Sequence, residues 1–218
     1  MERILEPELM DDERQSLAYA KANFSASNQL FVDSAIRDFS DRLRTVVDIG
    51  CGPADVVIRL ARALPGSNIT AIDGSAPMIA LAREAVRAAG LEARITLVHG
   101  YVPGAALADR SYDAILSKDL LHHVPQPASL WKEIARLGKP GAAVYVMDLI
   151  RPPTAEDARR IVDSVAASED PILREDFYNS LRAAFTMDEV REQLAVEGLD
   201  LDVVKAGDRH MLVKGLLS

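Results

Sequence analysis

The sequence contains a single cysteine, Cys51, which excludes an intrachain disulfide. It also lacks any Lys/Arg-rich run. Its formal net charge is -8, and the first fifteen residues set Glu2, Glu6, Glu8, Asp11, Asp12 and Glu13 against only Arg3 and Arg14. That balance opposes loose electrostatic capture of nucleic acid or of an anionic membrane. Its apolar stretches fall far short of the roughly 20 residues of a spanning helix, and its acidic start has neither the basic nor the apolar region of a signal peptide. Internal repeats and low-complexity segments are missing as well. These absences predict a soluble, cytoplasmic protein without a nucleic-acid or membrane partner; they leave the oligomeric state open, a homodimer included.

Hydrophobic residues make up 49% of the 218 positions, enough for the full core of one α/β domain with at most a small appendage. Val32, Ile36, Phe39 and Leu43 place an apolar stripe at helical spacing ahead of the first β-like run at 45–49. A helix at 54–64, a strand at 68–72 and a second helix follow. Ser75 reads as the N-cap of that second helix, Pro77 as part of its first turn and Gly90 as its stop. Runs at 94–98, 112–117 and 142–149 read as strands, with a helix carrying Leu130, Ile134 and Leu137 between the last two; Trp131 fits its buried stripe. Such alternation implies a doubly wound, mostly parallel sheet.

After Pro152-Pro153 the alternation breaks. One helical pattern starts at Thr154 and another at Asp170-Pro171, the latter carrying Leu173, Phe177 and Leu181. A capping box from Thr186 to Glu189 then opens a last helix. Two strands at 200–205 and 210–217 follow, joined by a turn at Gly207-Asp208. The expected architecture is a single domain with a seven-stranded sheet ending in an antiparallel hairpin strand. It divides into an N-terminal helical cover (1–43), a cofactor-binding core (44–150), a helical insertion (151–185) and a last helix with two final strands (186–218).

The turn Gly50-Cys51-Gly52 lies where an open α/β sheet binds its ligand, at the carboxyl end of a strand. A dinucleotide fingerprint needs a third glycine three residues after Gly52. That position is Asp55, a carboxylate that would repel phosphate. S-adenosylmethionine has no phosphate and carries sulfonium and ammonium cations, so an acidic neighbourhood suits it. Asp73, 25 residues after Asp48, ends the second strand, where a carboxylate can accept ribose hydroxyls. Cys51 itself reads as small packing beside the turn rather than as a reactive thiol.

This ordered series resembles the class I S-adenosylmethionine-dependent methyltransferases over nearly the whole chain. Asp48, Gly50 and Gly52 match the family's glycine-rich motif and Asp73 its ribose-binding acid. Gly100-Tyr101 matches the adenine-bordering loop, Tyr112–Ser117 the fourth-strand motif, and Leu137–Ala142 the turn before the fifth strand. The resemblance implies contacts to S-adenosylmethionine, or its product S-adenosylhomocysteine, from Asp48, Gly50, Cys51, Gly52, Asp73, Gly74, Ser75, Met78, Gly100, Tyr101, Val102, Ser117 and Lys118. Two departures stand out: Pro53-Ala54, where many members have another glycine, and Tyr101, where many have an acid.

The segment Ser117–Val124 lacks the Asn/Asp-Pro-Pro-aromatic motif of enzymes that methylate nucleobase or amide nitrogens. Its Leu-Leu-His-His pattern is similar to members acting on small molecules, so the expected substrate is a small-molecule O, N or S acceptor. His122 or His123 can serve as a general base, since imidazole titrates near neutral pH. No further His, Cys or acid stands at ligand spacing, so no metal is expected. The acceptor pocket falls to the helices outside the sheet, with Tyr19, Phe24, Asn28, His122 and Tyr178 as substrate contacts and Tyr178 also as a catalytic candidate. Arg209-His210 lie either at the site's mouth or on a solvated hairpin. A noncatalytic S-adenosylmethionine-binding protein and a nicotinamide-dependent oxidoreductase are the competing functions.

Overall fold

The computed structural model describes residues 1–6 and 12–218; residues 7–11 of the expected N-terminal cover lie outside the described residues. The chain opens with α1 (Glu13–Lys21) and α2 (Ser25–Phe39). It then alternates through β1 (Thr45–Ile49), α3 (Asp55–Ala63), β2 (Asn68–Asp73), α4 (Ala76–Ala88), β3 (Ile95–His99) and β4 (Tyr112–Lys118). A 3-10 turn (Leu121–His123) leads into α5 (Pro127–Leu137) and β5 (Gly138–Leu149). The helices α6 (Ala155–Val165), α7 (Pro171–Ala183) and α8 (Met187–Val196) precede β6 (Asp202–Ala206) and β7 (His210–Leu216).

The seven strands form one sheet in the order β3-β2-β1-β4-β5-β7-β6. β7 runs antiparallel to both of its neighbours, while β1 to β5 pair in parallel. Successive side chains alternate faces. Val46 and Tyr145 therefore join the layer under α2, α3 and α4, whereas Val47 and Val144 join the layer under α5 and α8, where Trp131 is fully buried. A third apolar cluster, with Leu149, Ala158, Val162, Tyr178 and Leu181, packs α6 and α7 against the end of β5.

Local chemistry sets the helix ends. Ser75 Oγ accepts from the Met78 amide at 3.3 Å, and the Thr186/Glu189 capping box forms in both directions. Thr154 and Asp170 are the caps of α6 and α7 rather than their first residues. The fifth strand begins earlier than expected, at Gly138. A Cβ there would press on the ends of the Leu217 and Ile115 side chains, so glycine lets the strand edge pass without moving them. The Lys139-Pro140-Gly141 stretch then shifts the register against β4, which makes the expected turn an irregularity within the strand.

The sheet order reverses between β1 and β4, which places a ligand crevice at their carboxyl ends. The N-terminal segment crosses above it. The Ile4 amide donates to the Arg182 carbonyl at 3.1 Å, and α1 packs on α7. In the described residues no helix is long and apolar enough to cross a membrane.

Candidate active site

The glycine turn is shaped by left-handed backbone. Gly50 and Gly52 have φ of 79° and 51°, and Ala54, fully buried, takes φ 70°. A left-handed alanine costs about 1–2 kcal/mol, so this bend is held by the packing around it. The Gly50 and Cys51 amides both donate to the Ile72 carbonyl (2.8 and 3.0 Å). A Cβ on Gly50 would press on the Leu120 side chain at 2.9 Å.

Two adjoining cavities, about 620 and 310 Å³, meet at this turn and share Tyr19, Phe24, Gly50, Gly52, Lys118 and Asp119 as walls. The larger includes Asp48, Cys51, Asp55 and Asn28. Asp48 is 2% exposed and its Oδ1 has no hydrogen-bond partner. Burial, reinforced by the charge of Asp73 and opposed by Lys118, pushes its carboxyl up to about 7. Lys118 is itself largely buried and pairs with Asp119.

The smaller cavity holds the Asp73 end of the site together with Ser75 and Met78. Asp73 accepts from the Gly52 amide through Oδ2 and from the Ser75 amide through Oδ1, each at 2.8 Å, so one carboxylate joins the glycine turn to the start of α4. The same cavity is walled by His122, His123, Leu149, Leu173, Phe177 and Ser180, and also by Arg209 and His210. His210 Nε2 lies 3.7 Å from Asp119 Oδ1. Tyr19 and Phe24 stack at 4.7 Å between centroids and roof the turn; burial and nearby Asp119, Asp73 and Asp148 raise the Tyr19 phenol well above its ordinary value.

His122 is 2% exposed and its Nδ1 is 2.7 Å from Asp148 Oδ1, also buried. Burial opposes its charged form. The charge and hydrogen bond of Asp148, with Asp119 and Glu6 behind it, outweigh burial and hold the imidazole above its ordinary value. His123 goes the other way: burial and the charge of His122 push it well below. Its Nδ1 lies 3.3 Å from Glu6 Oε2 without hydrogen-bond geometry.

Several sequence expectations need revision. Tyr178 does not line either cavity: its ring packs under Arg159, at 3.9 Å, and against the third cluster. One residue of helix turns about 100°, so Phe177 faces the cavity in its place. Asn28 donates to Asp55 Oδ2 at 2.9 Å and borders the larger cavity only. Ser117 is fully buried and ties β4 to β1 by donating to the Ile49 carbonyl at 2.8 Å. Gly74 sits in the turn beside Asp73, its carbonyl 3.0 Å from His99 Nε2. Gly100, Tyr101 and Val102 follow β3 next to Asp73, whose carbonyl accepts from the Gly100 amide at 3.0 Å, but none of the three lines a cavity, and Tyr101 is 55% exposed. No acid stands at ligand spacing from the two histidines in the sequence, but the fold brings Glu6 beside them. It brings a carboxylate oxygen within 4.8 Å of a ring nitrogen of each.

Sequence reasoning missed Asp148, Glu6, Arg3 and Asp119. Asp148 had a signal, a lone carboxylate in the apolar run Val144–Ile150. Glu6 had none, since 116 residues separate it from its partner His122.

A family described as a methyltransferase domain matches residues 46–141. A demethylmenaquinone methyltransferase from Bacillus cytotoxicus is 34% identical over 107 residues, 49% of this chain and 45% of that protein. A ubiquinone biosynthesis O-methyltransferase from Methylococcus capsulatus is 35% identical over 111 residues, 50% of this chain and 44% of that protein. The chain thus spans under half the length of these two curated relatives. A crystal structure of a S-adenosylmethionine-dependent methyltransferase from Aquifex aeolicus shares the fold at a TM-score of 0.70 and 18% identity, covering 95% of this chain and 99% of that one. The site suits the same donor: Asp48, a buried carboxylate with one unpartnered oxygen beside the glycine turn, could receive a cationic amino-acid group, and Asp73 ends β2 on the cavity wall, where a carboxylate can accept ribose hydroxyls. Residues 46–141 therefore carry a methyltransferase domain of the S-adenosylmethionine-dependent kind, set in a chain with the fold of those enzymes.

Proposed function

We propose that this chain moves the methyl group of S-adenosylmethionine to a hydroxyl oxygen on a largely apolar small molecule, with His122 as general base. The observation that carries this reading is the buried Asp148 paired with His122, a residue of the cavity wall. Asp148 occupies Nδ1, which leaves Nε2 as the nitrogen able to take a proton. When bound, the donor supplies an already activated sulfonium methyl. The chain has then to hold the acceptor in line, exclude water and accept one proton. Phe177, Leu173, Leu149, Tyr19 and Phe24 give the cavity its apolar walls. One curated relative is named a demethylmenaquinone methyltransferase and the other a ubiquinone biosynthesis O-methyltransferase, so hydroxylated aromatic rings come first in an acceptor panel.

In this reading residues 1–43 and 151–185 cover a core at 44–150 within one domain. The backbone of Gly50, Cys51 and Gly52 and the side chains of Asp48 and Lys118 hold the donor's amino-acid end. Asp73, Ser75 and Met78 hold the ribose side, and Gly100, Tyr101 and Val102 border the adenine. Thermal-shift measurements test the donor assignment directly: S-adenosylmethionine and S-adenosylhomocysteine should stabilise the protein and NAD should not. Stabilisation by NAD alone would favour the oxidoreductase reading.

A second expectation concerns pH. Asp48 titrates at about 7 in the free protein, and a cationic ligand favours its ionised form. Binding below that pH must therefore expel a proton, and donor affinity should fall as the pH is lowered from 8 to 6. Calorimetry in buffers of different ionisation enthalpy should detect that proton, and Asp48→Asn should abolish the pH dependence. Proton uptake on binding would contradict it.

A further inference from the structure

The first six residues take no part in the sheet, yet they make long-range polar contacts. The Met1 ammonium donates to the Pro153 carbonyl at 2.6 Å. Arg3 bridges three places at once: Nε donates to the Ala183 carbonyl at 2.5 Å, and Nη2 donates to the carbonyls of His122 and Val124 at 2.9 and 3.2 Å. Its guanidinium also lies 3.8 Å above the Phe185 ring. One planar fork thus joins the end of α7 to both sides of the histidine turn, a task suited to arginine's fixed donor geometry. Three residues on, Glu6 is 8% exposed in its side chain, accepts from Ser180 Oγ at 3.0 Å and reaches both histidines.

We propose that Met1–Glu6 is a working strap of the acceptor site, in which Arg3 is a positioning residue that fixes the His122 turn and Glu6 is a second carboxylate bracketing His122 opposite Asp148. This rests on His122 being the base. A proton taken from the acceptor leaves His122 as an imidazolium. Asp148 from β5 and Glu6 from the strap then stabilise it from two elements. The other groups facing this cluster are Asp119 with its partners Lys118 and His210, the neutral His123, and Asp176 near Glu6. Glu6 is the only strap carboxylate among the described residues that acts on His122, and Arg3 keeps it in place.

The strap is testable without donor or acceptor, by following the four histidines through pH titration of nitrogen-15-labelled protein by NMR. Glu6→Gln removes a negative charge, so the His122 midpoint should fall by about 0.5–1 pH unit. Arg3→Ala should lower it similarly by releasing the strap, and the double variant should add nothing further. Loss of the arginine charge alone would raise the midpoint, so the sign separates the two explanations. Should Arg3→Ala fail to fold, Glu6→Gln alone decides the matter. An unmoved His122 midpoint in Glu6→Gln would overturn the strap. So would fully additive effects, or stoichiometric zinc uptake by Glu6, His122 and His123 that abolishes the titration. The base role fails separately: a normal shift here, with a His122→Gln protein that still methylates, would leave the strap and remove the base.

Discussion

Replacing His122 by glutamine is expected to lower turnover by about 10²- to 10⁴-fold, while S-adenosylhomocysteine binds as before. Glutamine still offers a donor to Asp148 but cannot take a proton from a hydroxyl. The effect should lie in kcat rather than in donor affinity, because the proposed role of His122 is to take the acceptor's proton and not to hold the donor. A pH profile gives the sharper readout. His122 must be neutral to act, and its imidazole is held above the ordinary value by Asp148. Activity of the unaltered protein should therefore fall on the acid side at a pH above the usual histidine midpoint, and that limb should vanish in the variant. A Glu6→Gln protein should keep the limb but move it to lower pH. Equal kcat in the two proteins would show that the acceptor needs no base, as for a thiol.

The second large effect belongs to Asp73. Its replacement by alanine should weaken S-adenosylhomocysteine binding by about an order of magnitude or more, since hydrogen bonds to a charged group are worth about 1.5–3 kcal/mol each. Two losses combine. In the proposed site the carboxylate accepts the ribose hydroxyls at the end of β2, and it also anchors the Gly52 and Ser75 amides at 2.8 Å. Asp73→Asn keeps one acceptor oxygen and should fall between. Asp73 also helps to raise Asp48, so either variant should move the Asp48 titration down. Calorimetric titration measures both effects in one experiment. Unaltered affinity would remove Asp73 from the donor site.

What could be read from the sequence was local. The glycine turn, the Ser75 cap, the capping box at Thr186 and the strand alternation each depend on residues within a few positions of one another, and all appear in the structure. Trp131 was legible for the same reason, as part of a helical stripe. Functional partners that meet through the fold were not. Glu6 reaches His123 only because the N-terminal segment crosses α7, and Asp148 meets His122 only because β4 and β5 are neighbours. Tyr178 shows a different limit. The stripe of α7 is legible, but two sides of that helix bury apolar surface, one on Ala158 and Leu149 and one on the cavity. Periodicity alone assigns no residue to either side. Polarity made Tyr178 the attractive choice, and two arginines satisfy its ring elsewhere.

The backbone of the site shows a similar division. Ala54 in the left-handed region could be anticipated as a departure from glycine, but the torsion it adopts could not. The short Gly138 contact with Leu217 joins residues 79 positions apart, which no local pattern signals.

The central claim is methyl transfer to oxygen at the His122 end of the cavity. Its most direct test is to incubate the protein with a deuterium-methyl-labelled donor and a panel of hydroxylated aromatic compounds, and to follow labelled product by mass spectrometry beside His122→Gln. A labelled methyl ether is expected from at least one acceptor, accompanied by S-adenosylhomocysteine, and little or none from the variant. Tight donor binding with no labelled product from any acceptor, or equal labelling by the variant, would contradict it.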